Sequence, residues 1–207
     1  MPIVFESDSD NIKEHPNWIN TSILREAGDE FLRRHPELTD RTIFVFVRIY
    51  VEENDDNLKN MNTPDKVDIR TVGSMMNSSQ VAELMNLEAT LGGPFSIVKL
   101  FVTANSPVLY SKLISSFWHE LRHVLQHHTG RLAYKDDMIV WDGTPWFTWD
   151  DVKSCYETYH DSPWEQDARI ANTEAITWYR RKQFWDGFTR GFNIFRVMIQ
   201  MIKGKQQ

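Results

Sequence analysis

The sequence contains a single cysteine, Cys155, among its 207 residues, so no disulfide can form within the chain. This scarcity fits a reducing compartment, or one without redox demands. A lone cysteine is a candidate nucleophile, and the alternative is a small, partly buried residue. The sequence has no run of eighteen apolar residues, which argues against a membrane-spanning helix. It also has no charged stretch followed by an apolar one near Met1, so we expect no secretory signal.

Basic residues are scarce except near the C-terminal end. The formal charge of the chain is −6, but residues 180–207 hold seven Lys and Arg against Asp186 alone, which gives +6 there and −12 elsewhere. The negative total argues against general nucleic-acid binding. A basic, aromatic C-terminal segment, residues 186–207, predicts a docking element. It could meet the acidic body itself, a protein partner or a membrane surface.

Hydrophobic periodicity predicts one domain over residues 1–207, with an α+β fold. Residues 1–17 are predicted to be a polar leader because acidic residues recur in them. Helical spacing of apolar residues predicts helices over Trp18–His35, Ser79–Thr90, Pro107–His128 and Pro163–Trp185. Alternating or β-branched runs predict strands over Thr42–Val51, Val67–Val72 and Ser96–Thr103, and a hairpin of Leu132–Tyr134 with Met138–Trp141.

The strongest chemical signal is His-Glu-x-x-His at residues 119–123, within the predicted helix Pro107–His128. Residues four apart lie on one helix face, so His119 and His123 can present two imidazole nitrogens to one metal ion. Two nitrogen ligands suit Zn²⁺, and the neighbouring carboxylate of Glu120 can take a proton from an activated water. The alternative is two surface histidines beside a solvated carboxylate. The motif favours a zinc-dependent hydrolase.

Two histidines do not complete a catalytic zinc site, which has three protein ligands and an open position. The position six residues past His123 holds Thr129, so the third-histidine pattern of the metzincins is absent. His127 would extend a row along the helix, so His127 and His128 are expected to complement the helix dipole or to support the ligands. The third ligand should therefore come from another element.

A longer stretch, about Leu113 to Thr173, resembles the Glu-zincin metallopeptidases. It is nearest to small bacterial and phage-type members with His-Glu-x-x-His-Val-x-Gln, then Trp-x-Gly, then Tyr-x-x-x-Pro-Trp-Glu-x-x-Ala. This chain carries the same residues at positions 119–126, 141–143 and 159–168. The best-known Glu-zincins follow that alanine with Asp or Asn, where Arg169 stands here.

The resemblance implies a zincin-like fold, in which a small mixed sheet packs on an active-site helix and on a following helix that supplies a glutamate ligand. It implies Zn²⁺ held by His119, His123 and Glu165, with Glu120 as general base. Asp167 is the second choice for the third ligand, and His160 a weaker one. Glu165 has a competing interpretation, because Ser162-Pro163-Trp164-Glu165 is also a helix capping box.

The expected function is that of a metallopeptidase that acts on a protein or peptide. We expect the enzyme to be cytoplasmic, or virion-associated if a phage encodes it. Tyr156, Tyr159 and His160 are equivalent candidates for stabilising the oxyanion. Ser96–Thr103 is the candidate edge strand for an extended substrate, the alternative being a core strand. The rival function is a structural or assembly protein on the same scaffold, without catalysis. A structural metal would need a fourth ligand from His127, His160 or Asp167.

Overall fold

The computed structural model describes residues 3–7, 21–40, 42–50, 69–72, 95–103, 110–135, 137–148, 151 and 156–204. Its architecture is α+β, with two small sheets and two long helices that pack on each other. The predicted helix Ser79–Thr90 lies outside the described residues.

The larger sheet has four strands in the order β1-β2-β4-β3, namely β1 Ile3–Ser7, β2 Thr42–Tyr50, β3 Ile69–Val72 and β4 Phe95–Thr103. β1, β2 and β4 run parallel, while β3 is antiparallel to β4. The alternation predicted for β2 is confirmed, since Ile43 and Val45 are both buried. β-branched residues suit such a buried face.

Two predictions about this sheet are wrong. The leader 1–17 is not polar throughout, because Ile3–Ser7 forms a strand beside β2 and Ile3 is buried in the core. The apolar run in Ile3–Ser7 is too short to show the alternation of apolar and polar residues that predicts a strand. Ser96–Thr103 is not an edge strand, because β4 pairs with β2 on one side and with β3 on the other.

Two helices cover this sheet, α1 Thr21–Arg34 and α2 Tyr110–His128. α1 buries Leu24, Ala27 and Phe31, which lie at helical spacing on one face. The predicted start of this helix at Trp18 lies outside the described residues. A short 3₁₀ turn, Pro36–Leu38, follows α1, since proline cannot continue the helical hydrogen bonding.

The second sheet has three antiparallel strands, β5 Leu132–Lys135, β6 Met138–Trp141 and β7 Thr144–Thr148. The predicted hairpin of β5 and β6 is confirmed, with Leu132 opposite Trp141. β7 is not among the predicted strands, because Asp142-Gly143-Thr144-Pro145 has the composition of a turn. Asp142 and Gly143, with φ of 47° and 79°, make that turn alone, as is typical of two-residue hairpin loops.

The chain closes with a short helix, α3 Tyr156–His160, and a 42-residue helix, α4 Pro163–Gly204. The predicted end of α4 near Trp185 is wrong. Gly187 and Gly191 lie within α4, and glycine inside a helix costs only about 1 kcal/mol relative to alanine. No helix among the described residues is long and apolar enough to cross a membrane.

Candidate metal centre

α2 carries the His-Glu-x-x-His motif and is anchored by its opposite face. That face buries Leu113, Phe117, Leu121 and Val124, as the sequence predicts. Gly130 ends the helix, with φ of 72° and its N–H donating to the carbonyl of His127. The helix is therefore held on the core side, and His119 and His123 lie on another side, each partly buried.

α4 brings the third residue to this face because it packs closely along α2. Its contact positions are alanines that are essentially inaccessible to solvent, Ala168, Ala171 and Ala175. Small side chains let two helices approach each other, and the spacing three and four residues apart keeps them on one face. Trp118 of α2 stacks on Trp178 of α4 at 6.0 Å between ring centroids, and its indole N–H donates to the carbonyl of Ala27.

His119, His123 and Glu165 converge at one point between the two helices. The two Nε2 atoms lie 3.1 Å apart. Glu165 Oε2 lies 3.2 Å from His119 Nε2, and Glu165 Oε1 lies 3.1 Å from His123 Nε2. Within the described part of the chain, no other group of three or more His, Cys, Asp or Glu residues could hold a metal ion.

The structure favours the ligand interpretation of Glu165 over the capping box. In a capping box the serine hydroxyl would accept a helix N–H, and the glutamate would turn back to the serine N–H. Here the Ser162 hydroxyl is buried without a hydrogen-bond partner in the described residues, and the Ser162 N–H donates to the carbonyl of Tyr159. The Glu165 carboxylate points instead at the two imidazoles.

The electrostatics of the cluster suit a cation. Burial by itself would raise the pKa of Glu165, but the imidazoles of His119 and His123 hold it far below its ordinary value. Burial also opposes protonation of His123, yet Glu165 and Glu120 raise the pKa of this imidazole. Glu120 is only 7% exposed, and burial raises its pKa, which moves a carboxylate toward the range of an effective general base.

Sequence reasoning missed a network of side chains that supports His123. The side-chain amide oxygen of Gln126 lies 2.8 Å from His123 Nδ1. The side-chain nitrogen of Gln126 donates to the backbone carbonyl of Trp164 and to the carboxylate of Asp167. Arg122 donates two hydrogen bonds to the same carboxylate, at 2.8 and 3.0 Å. A pattern in the sequence could have indicated this role. Gln126 is a polar residue that follows the buried residues of α2 and lies one turn after His123.

Asp167 lies outside this cluster, contrary to its prediction as the second choice for the third ligand. Its carboxylate accepts hydrogen bonds from Arg122, Gln126 and Arg131. Burial would raise the pKa of Asp167, but these partners lower it to about 2. A carboxylate so engaged has little remaining capacity to turn toward the histidines.

The remaining candidates take other positions. The His160 ring is about half exposed and lies 3.5 Å from Asp161, and it does not belong to the cluster. The ring of His127 lies against Tyr134, 5.4 Å between centroids. Of the three oxyanion candidates, Tyr159 contacts the cluster, where its hydroxyl interacts with Glu165. The side chain of Tyr156 is not among those described.

The donor set fits a zinc ion in kind and in size. Two imidazole nitrogens and one carboxylate form a common ligand set of catalytic zinc, and ligands about 2.0–2.1 Å from a tetrahedral ion lie about 3.3 Å from one another. The separations here are 3.1–3.2 Å, with the two from Glu165 measured to different oxygens, and one ligand atom from each residue lies within 4.8 Å of the others. Glu165 Oε1 is buried, accepts no hydrogen bond of good geometry among the described residues and lies 3.1 Å from His123 Nε2, so a cation bound there would compensate its charge.

Comparisons of this chain with protein-family models, with curated proteins and with solved structures found no match. The function is therefore inferred from the geometry of the site.

Proposed function

We propose that this protein is a zinc-dependent metallopeptidase with a zincin-like fold. The observation that carries the proposal is the convergence of His119, His123 and Glu165, with buried Glu120 between the two histidines in sequence. A zinc ion bound there supplies Lewis acidity, since it lowers the pKa of water and polarises a carbonyl group. The larger sheet supports the same proposal. Its strand β3 runs antiparallel to β4 and packs against α2, the helix that carries the motif.

Each residue has one task in this proposal. His119, His123 and Glu165 hold the ion. Glu120 accepts a proton from the attacking water and returns it to the amine that leaves. In the described part of the chain β3 pairs on one side only, so its other edge is where an extended peptide would add as a strand.

The test is digestion of a peptide library by the zinc-loaded protein, with cleavage products identified by mass spectrometry. Glu120→Gln should bind zinc as the wild type does but lose cleavage, since an amide cannot take the proton. Glu37→Gln makes the same change at an exposed position and serves as control. Cleavage that persists unchanged in Glu120→Gln would refute the proposed mechanism.

A structural or assembly protein is the second candidate, and one observation favours a partner. The C-terminal half of α4 exposes large apolar side chains, each about 60% or more accessible, namely Phe184, Trp185, Phe188, Phe192 and Ile194. Exposed apolar patches with polar borders are typical of interaction sites. If a Phe188→Ser/Phe192→Ser double variant changes the oligomeric state, measured by light scattering, while no peptide is cleaved by the wild type, the assembly function is favoured.

A further inference from the structure

Gln126 lies between a proposed zinc ligand and a carboxylate. Its side chain is 1% exposed, which makes it one of the few buried polar residues among those described. It contacts His123 Nδ1 at 2.8 Å, the Trp164 carbonyl at 2.9 Å and Asp167 Oδ2 at 2.8 Å. A buried side-chain amide is held in one orientation when its nitrogen donates to an acceptor and its oxygen accepts from a donor.

These partners determine which way the Gln126 amide faces. A backbone carbonyl and a carboxylate can only accept hydrogen bonds, so both must receive an N–H from the amide nitrogen. The amide oxygen is then the atom that faces His123, and an oxygen there can only accept. The Nδ1 atom of His123 must therefore carry a hydrogen.

The position of the hydrogen decides what the other ring nitrogen can do. In a neutral imidazole with its hydrogen on Nδ1, the lone pair lies on Nε2, the atom 3.1 Å from His119 Nε2 and from Glu165 Oε1. The opposite tautomer would place a hydrogen on Nε2, where the Glu165 carboxylate 3.1 Å away can accept it, and would close the site to a cation. It would also set the lone pair of Nδ1 against the Gln126 oxygen.

We propose that Gln126 is a positioning residue, which Asp167 orients and which fixes His123 in the tautomer that presents Nε2 to a metal. The inference deepens the proposed zinc site and rests on it for its functional meaning. Arg122 completes the chain of contacts, because its two hydrogen bonds hold the Asp167 carboxylate in the plane of its guanidinium. Arg131 adds a longer contact of 3.4 Å to the same group.

The first test needs neither a variant nor a metal. Long-range ¹H–¹⁵N correlation spectra of the metal-free protein with labelled histidine, recorded at pH 9, report which nitrogen of a neutral imidazole carries the hydrogen. We expect a protonated Nδ1 at His123. A hydrogen on Nε2 would overturn the inference, whatever the protein binds.

The second test measures zinc affinity by competition with a chromophoric chelator. Gln126→Leu removes the acceptor at similar volume, and we expect the Kd for zinc to rise about 10- to 100-fold, as for other residues that orient a ligand. Gln183→Leu is the matched control, since Gln183 lies on α4 and donates to the Tyr179 hydroxyl away from the site.

The outcomes separate this inference from the proposed function. If the wild type binds zinc and folded Gln126→Leu binds it equally well, the positioning role is refuted and the metal site stands. If the wild type binds no zinc but shows the hydrogen on Nδ1 of His123, the proposed function fails while the fixed tautomer is supported. If Gln126→Leu does not fold, the wild-type spectrum still shows which nitrogen of His123 carries the hydrogen.

Discussion

Replacement of Glu165 by alanine should abolish stabilisation of the protein by zinc. The carboxylate is the one contribution of α4 to the proposed ligand set, and its two oxygens lie 3.2 and 3.1 Å from the Nε2 atoms of His119 and His123. Without it the site retains two ligands on a single helix. Two ligands do not hold zinc well, because a catalytic site is built from three.

The size of the effect depends on the affinity of the site for zinc. The candidate ligand atoms already lie within 4.8 Å of one another, so the site needs limited movement to bind an ion. At a free zinc concentration about a thousand times the Kd, binding stabilises the folded state by about 4.1 kcal/mol. For a domain of this length that corresponds to a rise in Tm of roughly 8–16 °C. A 100-fold loss of affinity would remove about 2.7 kcal/mol of it.

Thermal unfolding with a chelator and with saturating zinc measures this directly. Glu37→Ala is the control, since it removes an exposed glutamate and should keep the full rise in Tm. Glu165→Gln adds a distinction, because glutamine can still serve a capping box but is a poor zinc ligand. If the Glu165 variants keep the rise, or the wild type shows none, the proposed ligand set is refuted.

Three further predictions concern the scaffold. Trp118→Ala should lower the free energy of unfolding by about 3–5 kcal/mol in urea titration, because the fully buried indole packs on Trp178 and donates to α1. Ala171→Leu should cost about 1–3 kcal/mol and weaken zinc binding in the chelator assay, since it forces α4 away from α2; unchanged zinc affinity would contradict it. The pKa of Glu30 is lowered to about 2, chiefly by its hydrogen bond from Arg33, so Glu30 stabilises the fold above pH 4.5 and loses this effect as the pH falls toward 2. Glu30→Gln should therefore cost about 0.5–1 kcal/mol at pH 7 and progressively less in acid, measured by urea unfolding at each pH.

The sequence predicted the elements whose signal is local. The helix that carries His119 and His123 has an apolar face and a closing glycine, so its limits could be inferred to within a few residues. β2 and β4 have β-branched or alternating runs longer than six residues. Glu165 could be proposed because of the resemblance around it, although its position at the start of a helix allowed a capping interpretation.

The features that could not be predicted depend on distant contacts. Ile3–Ser7 becomes a strand because β2 offers a parallel partner, which its own five residues do not reveal. The place of β4 inside the sheet depends on β3, which comes from a separate part of the chain. The role of Asp167 likewise depends on Arg122, 45 residues away. Pairing between remote segments leaves no trace in local periodicity.

The charges of the site tie metal binding to folding. Glu120 and Glu165 are two buried carboxylates beside two imidazoles, and one oxygen of Glu165 lacks a hydrogen bond in the described residues. Burying such groups costs free energy unless a positive partner compensates them. Arg122 and Arg131 are occupied by Asp167, so neither supplies that charge to Glu165. The imidazole of His123 lies 3.1 Å from Glu165 Oε1, and if zinc binds between these groups, its binding energy adds directly to the stability of the fold.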